Sequence, residues 1–162
     1  MDISIINADL GHLDACASIL GDSELGQRYF VNRDDRYIGK ELLKEGFDKG
    51  EISVAILGDG SCAGFVWIEL NGIFHWFPFC HVVAVRADLR GHGVGTALMG
   101  RFHKVAFEED RSPKAFLEVG DFNPSAIALY EKLGYRRVGV VQDLYLRGVG
   151  EILMVKDAPP KG

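Results

Sequence analysis

Hydrophobic positions along the chain repeat in two periods, which predict strands alternating with helices. Alternating or continuous apolar runs predict seven strands, and apolar residues three or four positions apart predict four helices. The predicted strands are Ile3–Ile6, Ile52–Leu57, Cys62–Leu70, Ile73 onward into Val82–Val85, Lys114–Val119, Tyr135–Val141 and Glu151–Lys156. The predicted helices are Asp9–Leu20, Lys40–Lys49, one with Val94, Leu98, Phe102 and Val105 on a single stripe, and Asn123–Leu133. The charged segment from Glu24 to Lys40 shows neither period and is expected to be irregular.

Turn-forming residues indicate how these elements connect. Asp59-Gly60 and Asn71-Gly72 are typical of β-hairpin turns, so the second to fourth strands are expected to form an antiparallel meander. Proline has no N–H for a strand ladder, which predicts a bulge or a break at Pro78. The strands that begin near Val82 and Lys114 are joined through a helix, and such a connection predicts a parallel pair.

Length and composition narrow the class of protein. The 162 residues suffice for one domain, expected over residues 1–157 and followed by a loose tail at 158–162. A net charge of −5 with scattered basic residues argues against a nucleic-acid partner. Cys16, Cys62 and Cys80 form no disulfide framework or CxxC pair, and they are expected to be small core residues. Neither a signal peptide nor an apolar run of membrane-spanning length is recognisable, so we expect a cytoplasmic protein without a membrane partner.

A glycine-rich segment lies between an apolar strand and an amphipathic helix. Its residues are Arg90, Gly91, His92, Gly93, Val94, Gly95 and Thr96. Glycines cost backbone entropy on folding, so their concentration here indicates a close approach of the backbone to a ligand. Unpaired N–H groups and the positive end of the helix dipole make that ligand an anion, such as a phosphate. The glycine spacing fits neither a dinucleotide fingerprint nor a P-loop.

The pattern Arg90-x-x-Gly93-x-Gly95 resembles the acetyl-coenzyme A loop of the Gcn5-related N-acetyltransferase (GNAT) family. The run from Asn123 to Gly134, with Tyr130 just before Glu-Lys-Leu-Gly, is similar to the family's second cofactor segment, and the order of elements agrees as well. The resemblance implies the GNAT acyl-CoA N-acyltransferase fold, an α/β (α+β) fold whose mostly antiparallel seven-stranded sheet contains one splayed parallel pair and about four helices. It also implies acetyl-CoA as co-substrate. The residues expected to bind acetyl-CoA are the whole glycine-rich segment together with Val83, Ala84, Val85, Asn123, Ser125 and Tyr130.

The same resemblance implies an enzyme that moves an acetyl group from acetyl-CoA to a primary amine by direct attack in a ternary complex. A backbone N–H near Val83 would stabilise the oxyanion. Tyr130 would stabilise or protonate the leaving thiolate, although a core aromatic residue would explain the same position on its helix. His81 is the candidate general base, because imidazole titrates close to neutral pH. A water chain, or a purely structural role for His81 at a strand edge, remains an alternative.

The acceptor is not identified by these motifs. In the resembling family it is set by the first two helices and the last strand pair, and the candidate acceptor-binding residues here are Glu24, Tyr29, Trp67 and Trp76. A small-molecule amine and a peptide amine are both compatible with the sequence, as is a homodimer. His75 and His81 have no third ligand at a recognisable spacing, so no metal is expected. A non-catalytic acyl-CoA sensor and an acyltransferase for longer acyl groups are the alternative functions.

Overall fold

The computed structural model describes residues 1–161 and contains one seven-stranded sheet in the order β1-β2-β3-β4-β5-β7-β6. Five α-helices accompany the sheet within these residues. The strands are β1 (Ile3–Asn7), β2 (Ile52–Leu57), β3 (Cys62–Ile73), β4 (Phe77–Val85), β5 (Lys114–Gly120), β6 (Arg136–Gln142) and β7 (Gly150–Asp157). The helices are α1 (Leu13–Gly21), α2 (Glu24–Tyr29), α3 (Gly39–Asp48), α4 (Val94–His103) and α5 (Pro124–Lys132). Short 3-10 turns occupy Leu10–His12 and Ala87–Leu89, and a π-helical turn follows α4 at Lys104–Glu109.

The predicted mixed sheet with one parallel pair is confirmed. Strands β4 and β5 run parallel, and Phe79 lies beside Phe116 while Cys80 lies beside Leu117. The other strand pairs with a described register, β1 with β2, β2 with β3, β5 with β7 and β6 with β7, are antiparallel. The helix count differs from the prediction because α2 forms within the segment expected to be irregular. The Ser23 hydroxyl caps this helix by accepting a hydrogen bond from Gly26 N at 3.0 Å.

Two compact units share the chain. The first comprises Met1–Ile68 and Val82–Phe102, and the second comprises Glu69–His81 and the chain from His103 onward. The core of the first unit joins apolar side chains of α1, α3 and the first strands, with Leu20, Leu43 and Phe65 fully buried. Helix α1 thereby covers the sheet beside α3 with its apolar stripe, as amphipathic helices do.

The second unit is built on β5, β7 and β6. Strand β7 pairs with both neighbours along its length, and its Met154 side chain is fully buried. All residues of β6 are exposed, as expected at the edge of a sheet. Helix α5 begins and ends as the sequence predicted: the Asn123 side chain accepts a hydrogen bond from Ala126 N, Pro124 follows, and Gly134 ends the helix with a φ of +97°.

The turn between β3 and β4 is not where the sequence predicted it. Strand β3 continues through Asn71-Gly72 to Ile73, and the turn is formed by Phe74 and His75, with Trp76 N donating to Ile73 O at 3.2 Å. Gly72 is needed in the strand for another reason. A Cβ atom at this position would lie 2.7 Å from Phe79 Cβ and 2.8 Å from Glu69 Cβ. The prediction of a turn at Asn71-Gly72 was therefore wrong, because the glycine serves close packing instead of a left-handed turn.

The predicted break at Pro78 is absent from the described strand, whereas the alternative, a bulge, stays a prediction. Strand β4 runs without a break from Phe77 to Val85, and the Pro78 side chain is fully buried. The boundaries of the remaining strands differ from the predicted ones by at most one residue, as is usual at element ends.

Candidate functional site

The glycine-rich segment forms the entrance to α4 in the first unit. Gly91 and Gly93 have φ values of +79° and +87°, a conformation that glycine adopts without steric cost. A Cβ atom built on either residue would meet no atom within 4 Å, so open space adjoins both positions. Helix α4 starts at Val94, and the first amides of any helix lack an intrahelical carbonyl partner. The segment can therefore present N–H groups to a ligand.

The charge around this segment is suited to an anion. Arg90 is exposed, and its Nε atom donates to Val85 O at 3.4 Å, which brings the guanidinium back to the end of β4. His92 is exposed, and its Nδ1 atom lies 3.0 Å from Arg90 O. Helix N-termini carry a partial positive charge that attracts phosphate groups. The set of donors in this segment thus fits the diphosphate of a nucleotide-derived carrier.

The three residues before this segment lie at the end of β4. Val83 and Val85 are half-buried, whereas Ala84 is buried, which is the alternation of a strand with one covered face. The backbone of β3 also comes close to the end of β4, because a Cβ atom on Gly64 would lie 2.6 Å from Ala84 O. Gly64 thereby allows β3 and the end of β4 to pack closely within the first unit.

Tyr130 lies on the buried face of α5 in the second unit. Its ring meets the ring of Tyr135 edge-on with centroids 6.1 Å apart. Burial, and to a lesser degree the nearby Cys80 thiol, raises the pKa of the Tyr130 hydroxyl above its ordinary value. The hydroxyl therefore stays protonated at neutral pH and can donate a hydrogen bond to an anion. Asn123 uses its side-chain oxygen to cap α5, and Ser125 is exposed in the first turn of this helix.

His81 belongs to a polar group on the second unit's sheet. Its Nδ1 atom is hydrogen-bonded to the Glu69 carboxylate. Glu118 follows Leu117 on β5, and Leu117 pairs with Cys80, the residue before His81, at the last described position of the parallel register. Tyr145 donates a hydrogen bond from its hydroxyl to Glu118 Oε2 at 2.6 Å. This group combines a base with two carboxylates, so it can hold an ammonium group and accept its proton.

Sequence reasoning did not assign Glu69, Glu118 or Tyr145 to the site. Glu69 and Glu118 are strand carboxylates that a solvated role explains equally well from sequence. Tyr145 reaches Glu118 from 27 positions away in the chain. No sequence signal marked Glu118, because its neighbourhood depends on the register between β4 and β5, which only the folded sheet defines.

The four predicted acceptor residues are found in different surroundings. Glu24 is exposed at the start of α2 and forms an ion pair with Arg28 at 2.6 Å. Tyr29 is half-buried against the core of the first unit. Trp67 is only 3% exposed, belongs to that core and donates from Nε1 to Glu51 at 3.3 Å, which favours a packing role. Trp76 is 73% exposed beside the β3–β4 turn. The structure does not bring Glu24, Tyr29 and Trp67 together with Trp76 within one unit.

A surface hollow of about 720 Å³ lies in the first unit next to α1 and the segment after α2. Tyr37 closes one side of it, with its hydroxyl donating to Ala17 O at 2.6 Å. Lys40 forms an ion pair with Asp14 at 2.6 Å at its rim. Asp22 and Asp35 also line the hollow. The segment that the sequence predicted to be irregular is thus ordered around this hollow.

Two further observations concern residues 1–161. In this range no group of three His, Cys, Asp or Glu side chains could hold a metal ion. Over the same residues, every helix is too short or too polar to span a lipid bilayer.

The chain is similar to known acetyltransferases. The model of the Acetyltransferase (GNAT) family matches residues 20–135, which is well over half of the chain. An N-alpha-acetyltransferase of Sulfurisphaera tokodaii is 40% identical over 76 residues, a stretch that covers 46% of this chain and 46% of the relative. An N-alpha-acetyltransferase of Saccharolobus solfataricus is 36% identical over 78 residues, or 47% of each chain. The chain thus spans about half the length of these relatives.

A solved structure matches nearly the entire fold. The crystal structure of Ard1 from Thermoplasma volcanium superimposes with a TM-score of 0.82 and covers 99% of this chain and 100% of its own. The sequence identity is 20%, so this likeness concerns the fold.

Proposed function

The chain belongs to the GNAT acetyltransferase family, and from this premise we propose that it transfers the acetyl group of acetyl-CoA to the α-amino group of a polypeptide. The observation that carries the proposal is the glycine-rich segment, with Gly91 and Gly93 in the left-handed conformation at the start of α4. The names of the two relatives, both N-alpha-acetyltransferases, support an α-amino acceptor over other primary amines.

Acetyl-CoA would be held by the backbone of this segment and by its arginine. The amides of residue 91 and of residues 93–96 would donate to the diphosphate, with Arg90 adding positive charge, whereas the His92 amide already donates to Leu89 O at 3.3 Å. The edge of β4 at Val83–Val85 and the first turn of α5 at Asn123 and Ser125 would contact the pantetheine arm. When bound, acetyl-CoA supplies an activated acyl group as a thioester.

His81 would take the proton from the acceptor ammonium group. Its hydrogen bond to Glu69 fixes the orientation of the imidazole ring. Glu118 adds negative charge beside His81 and would attract the cationic amine before it is deprotonated. If this is correct, His81→Ala flattens the acidic limb of the pH–rate profile. An unchanged profile would assign the base elsewhere.

Two other groups would act on the acyl transfer itself. A backbone N–H near Val83 would donate to the oxyanion. The Tyr130 hydroxyl would donate to the departing sulfur. Because burial raises the pKa of Tyr130, this hydroxyl would stabilise the thiolate mainly through a hydrogen bond, with full proton transfer to sulfur contributing little.

A thiol-release assay with acetyl-CoA tests the proposal directly. We expect release with unblocked peptides and none with the same peptides blocked at the α-amino group. Release with spermidine or other small amines alone would contradict the proposed acceptor. A panel of longer acyl-CoA donors in the same assay distinguishes acetyl transfer from transfer of longer groups, and tight acyl-CoA binding without release would indicate a sensor.

Tyr130→Phe tests the leaving-group role in the same assay. We expect kcat to fall about 10²-fold while the KM for acetyl-CoA changes little, because the hydroxyl acts on charge that develops during the reaction. Tyr135→Phe is the matched control, since it removes a neighbouring buried hydroxyl that is bonded to His103. If kcat of Tyr130→Phe equals that of wild type, Tyr130 does not stabilise the leaving thiolate.

A further inference from the structure

A row of aromatic rings leads along the second unit's sheet to His81. Phe77, Phe79 and His81 alternate along β4 and therefore share one face of the strand. Phe116 of β5 lies beside Phe79 in the register. The Phe77 and Phe116 rings have centroids 5.4 Å apart, and the Phe79 and His81 rings have centroids 6.3 Å apart. We call Phe74, Phe77, Phe79 and Phe116 the aromatic row.

Phe74 extends this row to the β3–β4 turn. Its ring meets Phe116 edge-on at 6.0 Å, yet 71% of the residue is exposed. Phe77 and Phe79 are half-buried, so the row presents apolar surface without a covering element over part of its length. Phe74 and His75 both have left-handed φ values, +56° and +55°. Such a conformation costs about 1–2 kcal/mol in a residue other than glycine, so the placement of this ring is maintained against strain.

The two ends of the row differ in chemistry. One end carries His81 with Glu69 and Glu118, which suits a cationic amine. The other end carries the exposed ring of Phe74, which suits an apolar side chain. From His81 to Phe77 the strand spans four residues, or roughly 13 Å at about 3.3 Å per residue. An extended polypeptide covers the same distance with the same number of residues.

We infer that the aromatic row binds the first residues of the acceptor polypeptide, with the α-amino group at His81 and apolar side chains along the rings. This inference rests on the proposed function, because it needs a polypeptide acceptor. Side chains two residues apart point to the same side of an extended chain. Phe79 and Phe77 lie two and four residues from His81, so the third and fifth residues of the acceptor face the row. The enzyme is therefore selective for apolar residues at these two positions.

Isomeric acceptor peptides test this selectivity without a change in composition. One hexapeptide carries Leu at positions 3 and 5 and Ser at positions 2 and 4, and the other has these residues exchanged. We expect the kcat/KM of wild type to be about tenfold higher for the first peptide. The difference should lie in KM, because each leucine buries apolar area against a ring. Equal rates for the two isomers would overturn the inference while leaving the proposed function intact.

Phe74→Gly tests the row itself. Glycine tolerates the left-handed conformation, so the variant removes the ring without adding strain. We expect the preference between the isomers to fall to about twofold, with an unchanged KM for acetyl-CoA. Val138→Ala on β6 is the control, because it removes an exposed apolar side chain of the second unit that lies outside the row.

Three results would contradict the inference in distinguishable ways. Equal losses in Phe74→Gly and Val138→Ala would show a general effect of exposed apolar side chains in the second unit. A change of assembly state in Phe74→Gly, measured by light scattering, would assign the row to contact with a second copy of the chain. Acetylation of small amines but of no peptide would overturn the proposed function and this inference together.

Discussion

The glycine-rich segment before α4 and the turn between β3 and β4 both contain two residues in the left-handed conformation, but they reach it in opposite ways. In the first, the residues are Gly91 and Gly93, for which this conformation has no steric cost. In the second they are Phe74 and His75, although the flexible pair Asn71-Gly72 lies just before them in the chain. The comparison teaches that glycine predicts a turn only where no packing contact requires its missing side chain.

The largest effect is expected from a bulky residue in the glycine-rich segment. Gly93→Val places a β-branched side chain at a φ of +87° and in the open space next to the segment. We expect the Kd for acetyl-CoA, measured by calorimetry, to rise at least about 100-fold, or about 2.7 kcal/mol. Gly139→Val on exposed β6 is the control, because its Cβ would also meet no atom within 4 Å but its φ is ordinary. An unchanged Kd would show that acetyl-CoA does not bind at this segment.

This contrast also explains how much the sequence could predict. The caps of α5, the glycine-rich segment and the parallel pair were predictable, since each follows from a few neighbouring residues or from the connection between strands. A turn at Asn71-Gly72 would have placed Glu69 opposite Phe74, so the misplaced turn also concealed the contact of Glu69 with His81. Glu118 and Tyr145 meet only through the folded sheet, and no local pattern records that contact.

Helix α2 was missed for a related reason. It has six residues, too few for a clear helical period, although Ser23 and Glu24 form a typical helix start. A Cβ atom on Gly26 would lie 1.9 Å from Leu20 O, so this glycine permits the close approach of α2 to the end of α1. As in β3, a glycine that reads as a loop residue is required by packing.

The two regions also differ in the exposure of their histidines. The glycine-rich segment carries the exposed His92, whereas the second unit contains the largely buried His103. Burial, and then the charge of Lys156, lowers the pKa of His103 from 6.5 to about 4, and Nε2 of its neutral ring accepts a hydrogen bond from the Tyr135 hydroxyl at 2.8 Å. Between pH 6.5 and about pH 4, His103 is protonated in the unfolded chain but stays neutral in the folded chain. The contribution of neutral His103 to the free energy of unfolding is complete above about pH 6.5 and is lost as the pH falls towards 4.

We expect this histidine to account for about 2–3 kcal/mol of the free energy of unfolding lost between those pH values. Urea denaturation of wild type and His103→Gln at several pH values measures it, because glutamine keeps an acceptor but does not titrate. Parallel curves for wild type and His103→Gln would show that other groups cause the loss.

A smaller effect tests why Gly72 lies in a strand. Gly72→Ala adds a Cβ atom 2.7 Å from Phe79 Cβ, and one of the two strands must shift to accept it. We expect the free energy of unfolding to fall by about 1–2 kcal/mol, as overpacking does in other cores. Gly139→Ala on β6, with open space at its Cβ, should change it by less than about 0.5 kcal/mol. Equal effects at both positions would show that the close approach at Gly72 is not tight.

The smallest effect concerns the strain in the turn. His75→Gly replaces a residue at a φ of +55° with one that adopts this conformation freely. The gain is reduced by the greater freedom of glycine in the unfolded chain, so we expect a net stabilisation of about 0.5–1 kcal/mol by urea denaturation. Trp76→Gly, the next residue in the same turn but with an ordinary φ, should instead destabilise the protein. A loss of stability in His75→Gly would mean that contacts of the histidine side chain, and not the packing of Gly72, hold the turn at this place in the chain.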